Sequence, residues 1–182
     1  MIRSLLRLDA RWSKKLRIDP SRQFIWRLAV FLAHSGDSWF WMLGLGLVWL
    51  FSRGAWHNRS AMVGFGIVAL ALFVFCIKLL FKRRRPPGEW GAIYRNTDPH
   101  SFPSGHAARA ALLVVMFFGL GPLWLALILL IWAPMVATAR VMTGVHYLSD
   151  VIAGVLLGVM AGWLVLQVQA PVMRLFSFFF FT

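Results

Sequence analysis

Residues 106–140 read HAARAALLVVMFFGLGPLWLALILLIWAPMVATAR, and this stretch decides the fold. Two apolar runs, His106 to Phe118 and Leu123 to Val136, are joined by Gly119-Leu120-Gly121-Pro122. Gly and Pro clusters punctuate helical patterns, so the spacing predicts a tight helical hairpin that crosses and comes back. His106 and Arg140 then share one end. Upstream, Ala61 to Leu80 predicts a membrane span, with Ser60 as its cap. Lys82-Arg83-Arg84-Arg85-Pro86-Pro87 ends it, because Pro disfavours helix in the residue before it. Gly88 to Phe102 reads as a polar loop, and Asp150 to Val168 as the last clear span. Near the start, Asp19-Pro20 is a helix-start pair and predicts a helix to about His34. His34-Ser35-Gly36-Asp37-Ser38 interrupts it, and Trp39 to Phe51 continues as apolar helix. Neither piece has the ~20 residues a span needs. Either the first is a tilted, half-inserted helix, or the two form one broken span. The expectation is an all-α integral-membrane bundle of five or six helices, with a site at helix ends on one membrane face.

Composition agrees. The chain of 182 residues is 60% hydrophobic, with 19 basic against 6 acidic residues and a formal net charge of +13. Its mean hydropathy is +0.72. A basic, apolar, Trp-rich chain points to anionic lipid. Nucleic-acid binding needs the charge on a soluble face or groove, and most of this chain belongs in lipid. The single cysteine, Cys76, excludes an internal disulfide and reads as a packing residue. Met1 to Arg27 holds eight Lys/Arg without the apolar core and cleavage site of a signal peptide. It reads as a basic amphipathic arm. Leu5, Leu6, Leu8, Trp12 and Leu16 can lie on lipid, while Arg3, Arg7, Arg11, Lys14 and Lys15 meet head groups. A flank that only sets topology reads equally well. Trp90, Trp124, Trp132 and Trp163 are candidate interface anchors.

Charge inside an apolar chain is expensive unless it is used, and here it is gathered in three segments. Lys78, Arg85 and Arg140 come from three places and can converge on one anion, since the Arg fork and the Lys point charge both suit a phosphoryl group. Pro103-Ser104-Gly105-His106 opens a helix, and N–H groups at a helix start favour an anion. Ser104 can cap that helix and Gly105 permits close backbone approach. His146 and Asp150 are four apart, so a carboxylate can hold one imidazole nitrogen and leave the other free to attack. Three fixed cations can replace a metal ion, and no carboxylate cluster suited to holding one is visible. His34, Asp37 and His57 read as structural or solvated. His100 and Asp98 precede Pro103 within reach of a head group, and Arg109 lies one turn beyond His106.

Taken together, Lys78-x6-Arg85-Pro86, Pro103-Ser104-Gly105-His106 and Arg140-x5-His146-x3-Asp150 resemble the signature of the type 2 phosphatidic acid phosphatase superfamily, over about residues 60 to 170. The family usually has Ser before the arginine of the third segment, and this chain has Ala139. The resemblance implies a metal-independent, cofactor-free membrane phosphatase acting on a lipid phosphate or diphosphate of the phosphatidic acid, phosphatidylglycerophosphate or polyprenyl class. It implies that His146 is a nucleophile forming a phosphohistidine, that Asp150 orients it, and that His106 is the general acid. Lys78, Arg85, Arg140, Ser104 and the Gly105 N–H would hold the phosphate. A non-catalytic lipid-phosphate binding or transport protein is the alternative, but binding alone would not need both histidines and Asp150. A vanadate-dependent oxidase fits the pocket but not the apolar spans.

The expected organisation is a basic arm over 1–19, a membrane phosphatase domain over 20–171 and an interfacial aromatic tail over 172–182. The expected location is the cell (inner) membrane, multi-pass. The positive-inside rule puts the arm in the cytoplasm. With residues 19–51 as one broken span, five spans put the site there too, and Lys82 to Arg85 and Arg95 agree. A six-span layout typical of relatives puts the site on the outer face. The loop charges favour the cytoplasmic face.

Overall fold

The computed structural model describes residues 2–87 and 98–181. Trp90 and Arg95 lie outside them. Among the described residues the regular structure is helical, with one isolated bridge between Arg84 and His100. The helices are α1 (Ile2–Lys15), α2 (Gln23–Ser35), α3 (Ser38–Phe51), α4 (Ala55–Phe81), α5 (Gly105–Leu120), α6 (Leu123–Met142), α7 (Leu148–Gln167) and α8 (Gln169–Leu175), then a short 3-10 turn, Ser177–Phe179.

Three of these, α4, α6 and α7, are long and apolar enough to cross a membrane. The bundle is also apolar outside: Leu72, Ile131 and Leu156 are each more than 60% exposed. Such side chains need a hydrocarbon neighbour, and the chain is a membrane protein. Inside, α5 is central, with Leu112, Leu113 and Met116 fully buried. Its closest neighbour is α7. A Cβ at Gly154 would stand 2.5 Å from the Ser104 carbonyl oxygen, one at Gly158 would collide with that of Ala108, and one at Gly162 would stand 2.9 Å from Val115 Cβ. Small residues every four positions let two backbones approach where lipid offers no hydrophobic drive.

Helices α2 and α3 form one broken pass. Ile18 N–H donates to the Met142 carbonyl at 3.0 Å, at the site end of α6. At the far end of α3, Trp49 stacks against His57 at the start of α4. The break is pinned by Trp132 Nε1 donating to Ser35 Oγ at 2.9 Å and by Trp41 Nε1 donating to the Ser35 carbonyl at 3.1 Å. The α2–α3 pair thus runs from the site end to the far end alongside α4, α5, α6 and α7.

Several boundaries differ from the sequence reading. Asp19 Oδ1 accepts from Ser21 N–H at 2.9 Å, a local turn that delays α2 to Gln23. Helix α4 starts at Ala55, after Gly54 at φ +63, so Ser60 lies inside it and donates to the His57 carbonyl instead of capping. Helix α6 runs past Val136 to Met142 and carries Pro134 internally. Helix α7 begins at Leu148, because Asp150 accepts the Tyr147 N–H and the cap falls one residue earlier.

The two termini close opposite ends. Leu5, Leu6, Leu8, Trp12 and Leu16 of the arm face outward, while its other side docks on the start of α7. Ser149 N–H donates to Asp9 Oδ1 at 3.0 Å and Leu148 N–H to Ser13 Oγ at 2.8 Å, so α1 satisfies two N–H groups that a helix start leaves open. At the other end, the Phe179 carbonyl accepts from Trp49 Nε1 at 2.9 Å and stands 2.9 Å from His57 Nε2. Phe181 exchanges two 2.8 Å bonds with Asn58, and Phe180 is buried.

Candidate active site

The three charged segments meet at the end of the bundle where α1 docks. Lys78 is the last buried residue of α4. Arg85 follows in the extended stretch held by the Arg84–His100 bridge. Ser104 caps α5, its Oγ 3.5 Å from Ala107 N, and its own N–H donates to the Asp150 carbonyl at 2.9 Å. That bond ties the start of α5 to the start of α7. Arg140 is buried in the last turn of α6, and His146 is buried in the connection to α7. A cavity of about 390 Å³ brings Lys78, Gly105, His106 and His146 to a common wall, with Asp98, His100 and Arg109 beside them.

His146 Nε2 stands 3.2 Å from Arg85 Nη1, and Arg85 Nη1 also donates to the Val145 carbonyl at 2.9 Å. Nε2 is therefore the nitrogen that faces Arg85. Burial first, then the charges of Arg140, Arg85 and Lys78, push the His146 pKa well below its ordinary value. This setting favours the neutral imidazole, the form that can attack an electrophile. His146 Nδ1 stands 3.6 Å from Asp150 Oδ2, beyond a hydrogen bond. Asp150 is instead held by Arg83 Nη1 at 2.6 Å and by the Tyr147 N–H at 2.9 Å.

Sequence reasoning missed three groups. Arg83 joins Asp150 to Asp9 of the arm (Nη2 to Oδ2, 2.6 Å), with its guanidinium 4.1 Å over the Tyr147 ring. In sequence it is one of four consecutive cations and carries no distinguishing mark. Asp98 contacts Lys78 Nζ and accepts from Arg85 Nη2 at 2.8 Å, so a carboxylate sits against two of the cations expected to hold the phosphate. Asp37, at the α2–α3 break, has Oδ1 2.5 Å from His106 Nε2 and Oδ2 3.1 Å from His34 Nδ1. The only signal for it was a carboxylate in a chain with six acids. Among the described residues no group of three or more His, Cys, Asp or Glu is placed to hold a metal ion.

His106, His146, Lys78 and the N-terminus of α5 thus border one small cavity at the end of a membrane-helix bundle, with Arg85 against His146. The sequence pattern of the PAP2 superfamily matches residues 59–174. The chain belongs to the PAP2 superfamily. It is 31% identical over 147 residues to an undecaprenyl-diphosphatase of Sulfolobus acidocaldarius, covering 79% of this chain and 70% of that protein. It is 35% identical over 140 residues to a decaprenylphosphoryl-5-phosphoribose phosphatase of Mycobacterium tuberculosis, covering 74% and 75%. In fold it is similar to a transmembrane PAP2-type phosphatidylglycerolphosphate phosphatase of Bacillus subtilis (TM-score 0.73, 22% identity, 94% of this chain and 89% of that one). Aquifex aeolicus LpxE is a second neighbour (TM-score 0.67, 22% identity, 89% and 94%).

Proposed function

We propose that this membrane phosphatase hydrolyses a lipid phosphate or diphosphate through a phosphohistidine on His146, without a metal ion or other cofactor. The observation that carries the reading is buried His146, its Nε2 3.2 Å from Arg85 Nη1, on the wall of a cavity it shares with Lys78 and His106. His146 Nε2 attacks phosphorus, and His106 gives a proton to the departing oxygen. Water, losing its proton to His106, then releases inorganic phosphate. Lys78, Arg85 and Arg140 neutralise the charge on the transferring phosphoryl group, with the start of α5 at Gly105 adding its dipole. Asp98 leaves the clamp when phosphate arrives. Asp150 acts on His146 after a shift of a few tenths of an ångström that closes the 3.6 Å gap.

The apolar side of the cavity supports a lipid as substrate. Leu70, Val74 and Phe75 of α4 line it, and Phe75 is also exposed on the outer surface. The phosphate sits at the membrane edge and the chains lie along α4, so no charge enters hydrocarbon. The names of two relatives support a polyprenyl phosphate or diphosphate as the first substrate to test, with phosphatidic acid and phosphatidylglycerophosphate after it. The arm over 1–19 rests on anionic head groups through α1, the domain over 20–171 holds the site, and the tail over 172–182 closes the far end.

The test is phosphate release from a panel of these lipids by purified protein in mixed micelles, with and without EDTA. Turnover survives the chelator, His146→Ala loses several orders of magnitude of rate, and acid-labile phosphate is trapped on His146. Wild-type-like turnover by His146→Ala sinks the assignment. Collapse in EDTA with recovery in Mg²⁺ sinks the metal-free mechanism.

A further inference from the structure

We infer that Asp37 is a positioning residue for the general acid, and that the knot at the α2–α3 break exists to present its carboxylate to His106. The inference rests on His106 being the acid of the proposed mechanism.

Nothing in the packing of α2 and α3 requires a carboxylate at this break. A small polar residue would end α2 and start α3 equally well, and Asp37 makes no side-chain cap to α3. Yet the four residues before and including it are fixed from three directions. Trp132 and Trp41 hold Ser35. Arg109, one turn beyond His106 on α5, donates to the Gly36 carbonyl. Gly36 itself packs against His106 and Val136, where a Cβ would stand 2.9 Å from Val136 Cγ1. The result is a carboxylate oxygen 2.5 Å from His106 Nε2, with the second oxygen held by His34 at 3.1 Å. The position of Arg109 makes the break and the acid one unit, since the same helical turn carries both.

This geometry dictates how the proton moves. With Nε2–H donated to Asp37, the nitrogen left for the substrate is Nδ1. As the His146 Nε2–P bond forms, the P–O bond to the lipid breaks. Its electron pair stays on the oxygen, which takes the proton from His106 Nδ1. Neutral His106 keeps its Nε2–H on Asp37. Its bare Nδ1 then removes a proton from the water that attacks the phosphohistidine, and the imidazolium is restored. Asp37 fixes the tautomer in the neutral state and offsets the charge in the cationic one.

The experiment compares two leaving groups. An alkoxide needs the proton at the transition state, whereas p-nitrophenolate leaves without it. In Asp37→Asn, kcat/KM on hexadecyl phosphate falls by about 10²-fold, the scale of a general-acid contribution, while that on p-nitrophenyl phosphate changes by less than about threefold. His106→Gln loses at least as much on hexadecyl phosphate, and adding Asp37→Asn to it costs nothing further there. Equal losses on both substrates, or no loss on either, overturn the inference while leaving His106 as the acid. A His106→Gln enzyme active on hexadecyl phosphate overturns the underlying reading instead. Wild-type protein carrying ¹⁵N-histidine supplies a measurement independent of any variant's folding: His106 is protonated on Nε2 at all pH values. A neutral His106 with a bare Nε2 overturns the inference.

Discussion

Asp98 tests the phosphate clamp. Its carboxylate touches Lys78 and Arg85 together, so an arriving phosphoryl group must displace it. Removing the charge leaves two cations unneutralised and raises the site's affinity for an oxyanion. Asp98→Asn is therefore expected to lower the vanadate Ki by roughly 3–10-fold, since a charge-assisted bond is worth about 1.5–3 kcal/mol and only part is recovered. A weaker vanadate effect would show that Asp98 orders the cations rather than competing for them. His146 sets the pH dependence. Protonation blocks the proposed attack by His146, and burial and then Arg140 hold its pKa below the ordinary 6.5. Activity falls as pH drops through that depressed value, so the acid limb of kcat/KM is expected below pH 6.5. A limb at or above that value contradicts the buried, cation-lined setting. That Lys78, Arg85, His106, Arg140, His146 and Asp150 meet at one end was legible because each falls at a helix end and helix order returns those ends to one side. Asp37 and Asp9 were not, because each acts on a partner more than 60 residues away.

At the scale of elements, apolar run length located α4 to α7 and left the α2–α3 pair open, while boundaries followed capping detail that composition does not carry. Residues 55–60 contain Trp56, His57, Asn58 and Arg59, which read as loop, yet they extend α4 because the tail at Phe179 and Phe181 satisfies His57 and Asn58. The glycines of α7 were visible as Gly154-x3-Gly158-x3-Gly162 but have meaning only once α5 is known to lie against them. Gly158→Ala is expected to lower the melting temperature in detergent by several degrees, since the new methyl meets the Ala108 backbone and overpacking costs about 1–3 kcal/mol. Gly46→Ala in α3 is the control. Nothing lies within 4 Å of its Cβ, and a helical Gly→Ala change is neutral or stabilising by up to ~1 kcal/mol. Equal effects at the two positions would mean that α5 and α7 are not in close backbone contact.

On the scale of the whole molecule, the arm and the site share a face, and charge divides the two faces unequally. Around the site end lie Arg7, Arg11, Lys14, Lys15, Arg17 and Arg22 of the arm region, then Lys82, Arg83 and Arg84. The opposite turns offer Arg53, Arg59 and Arg174. Short basic segments flanking spans are generally retained in the cytoplasm, so the asymmetry predicts a cytoplasmic site and an external α3–α4 turn. The contacts made by α1 strengthen the argument. Asp9 and Ser13 tie it to the start of α7, and Arg17 Nη1 donates to the Pro87 carbonyl at 2.7 Å, so the arm cannot lie on one face while the site lies on the other. In a Cys76→Ala background, Arg11→Cys on α1 and Arg53→Cys at the opposite turn report the two faces. A membrane-impermeant maleimide applied to intact cells is expected to label the second and to reach the first only after lysis. Labelling of Arg11→Cys in intact cells would place the site outside against the charge rule, and the lipid phosphates it draws on would then be those of the outer leaflet.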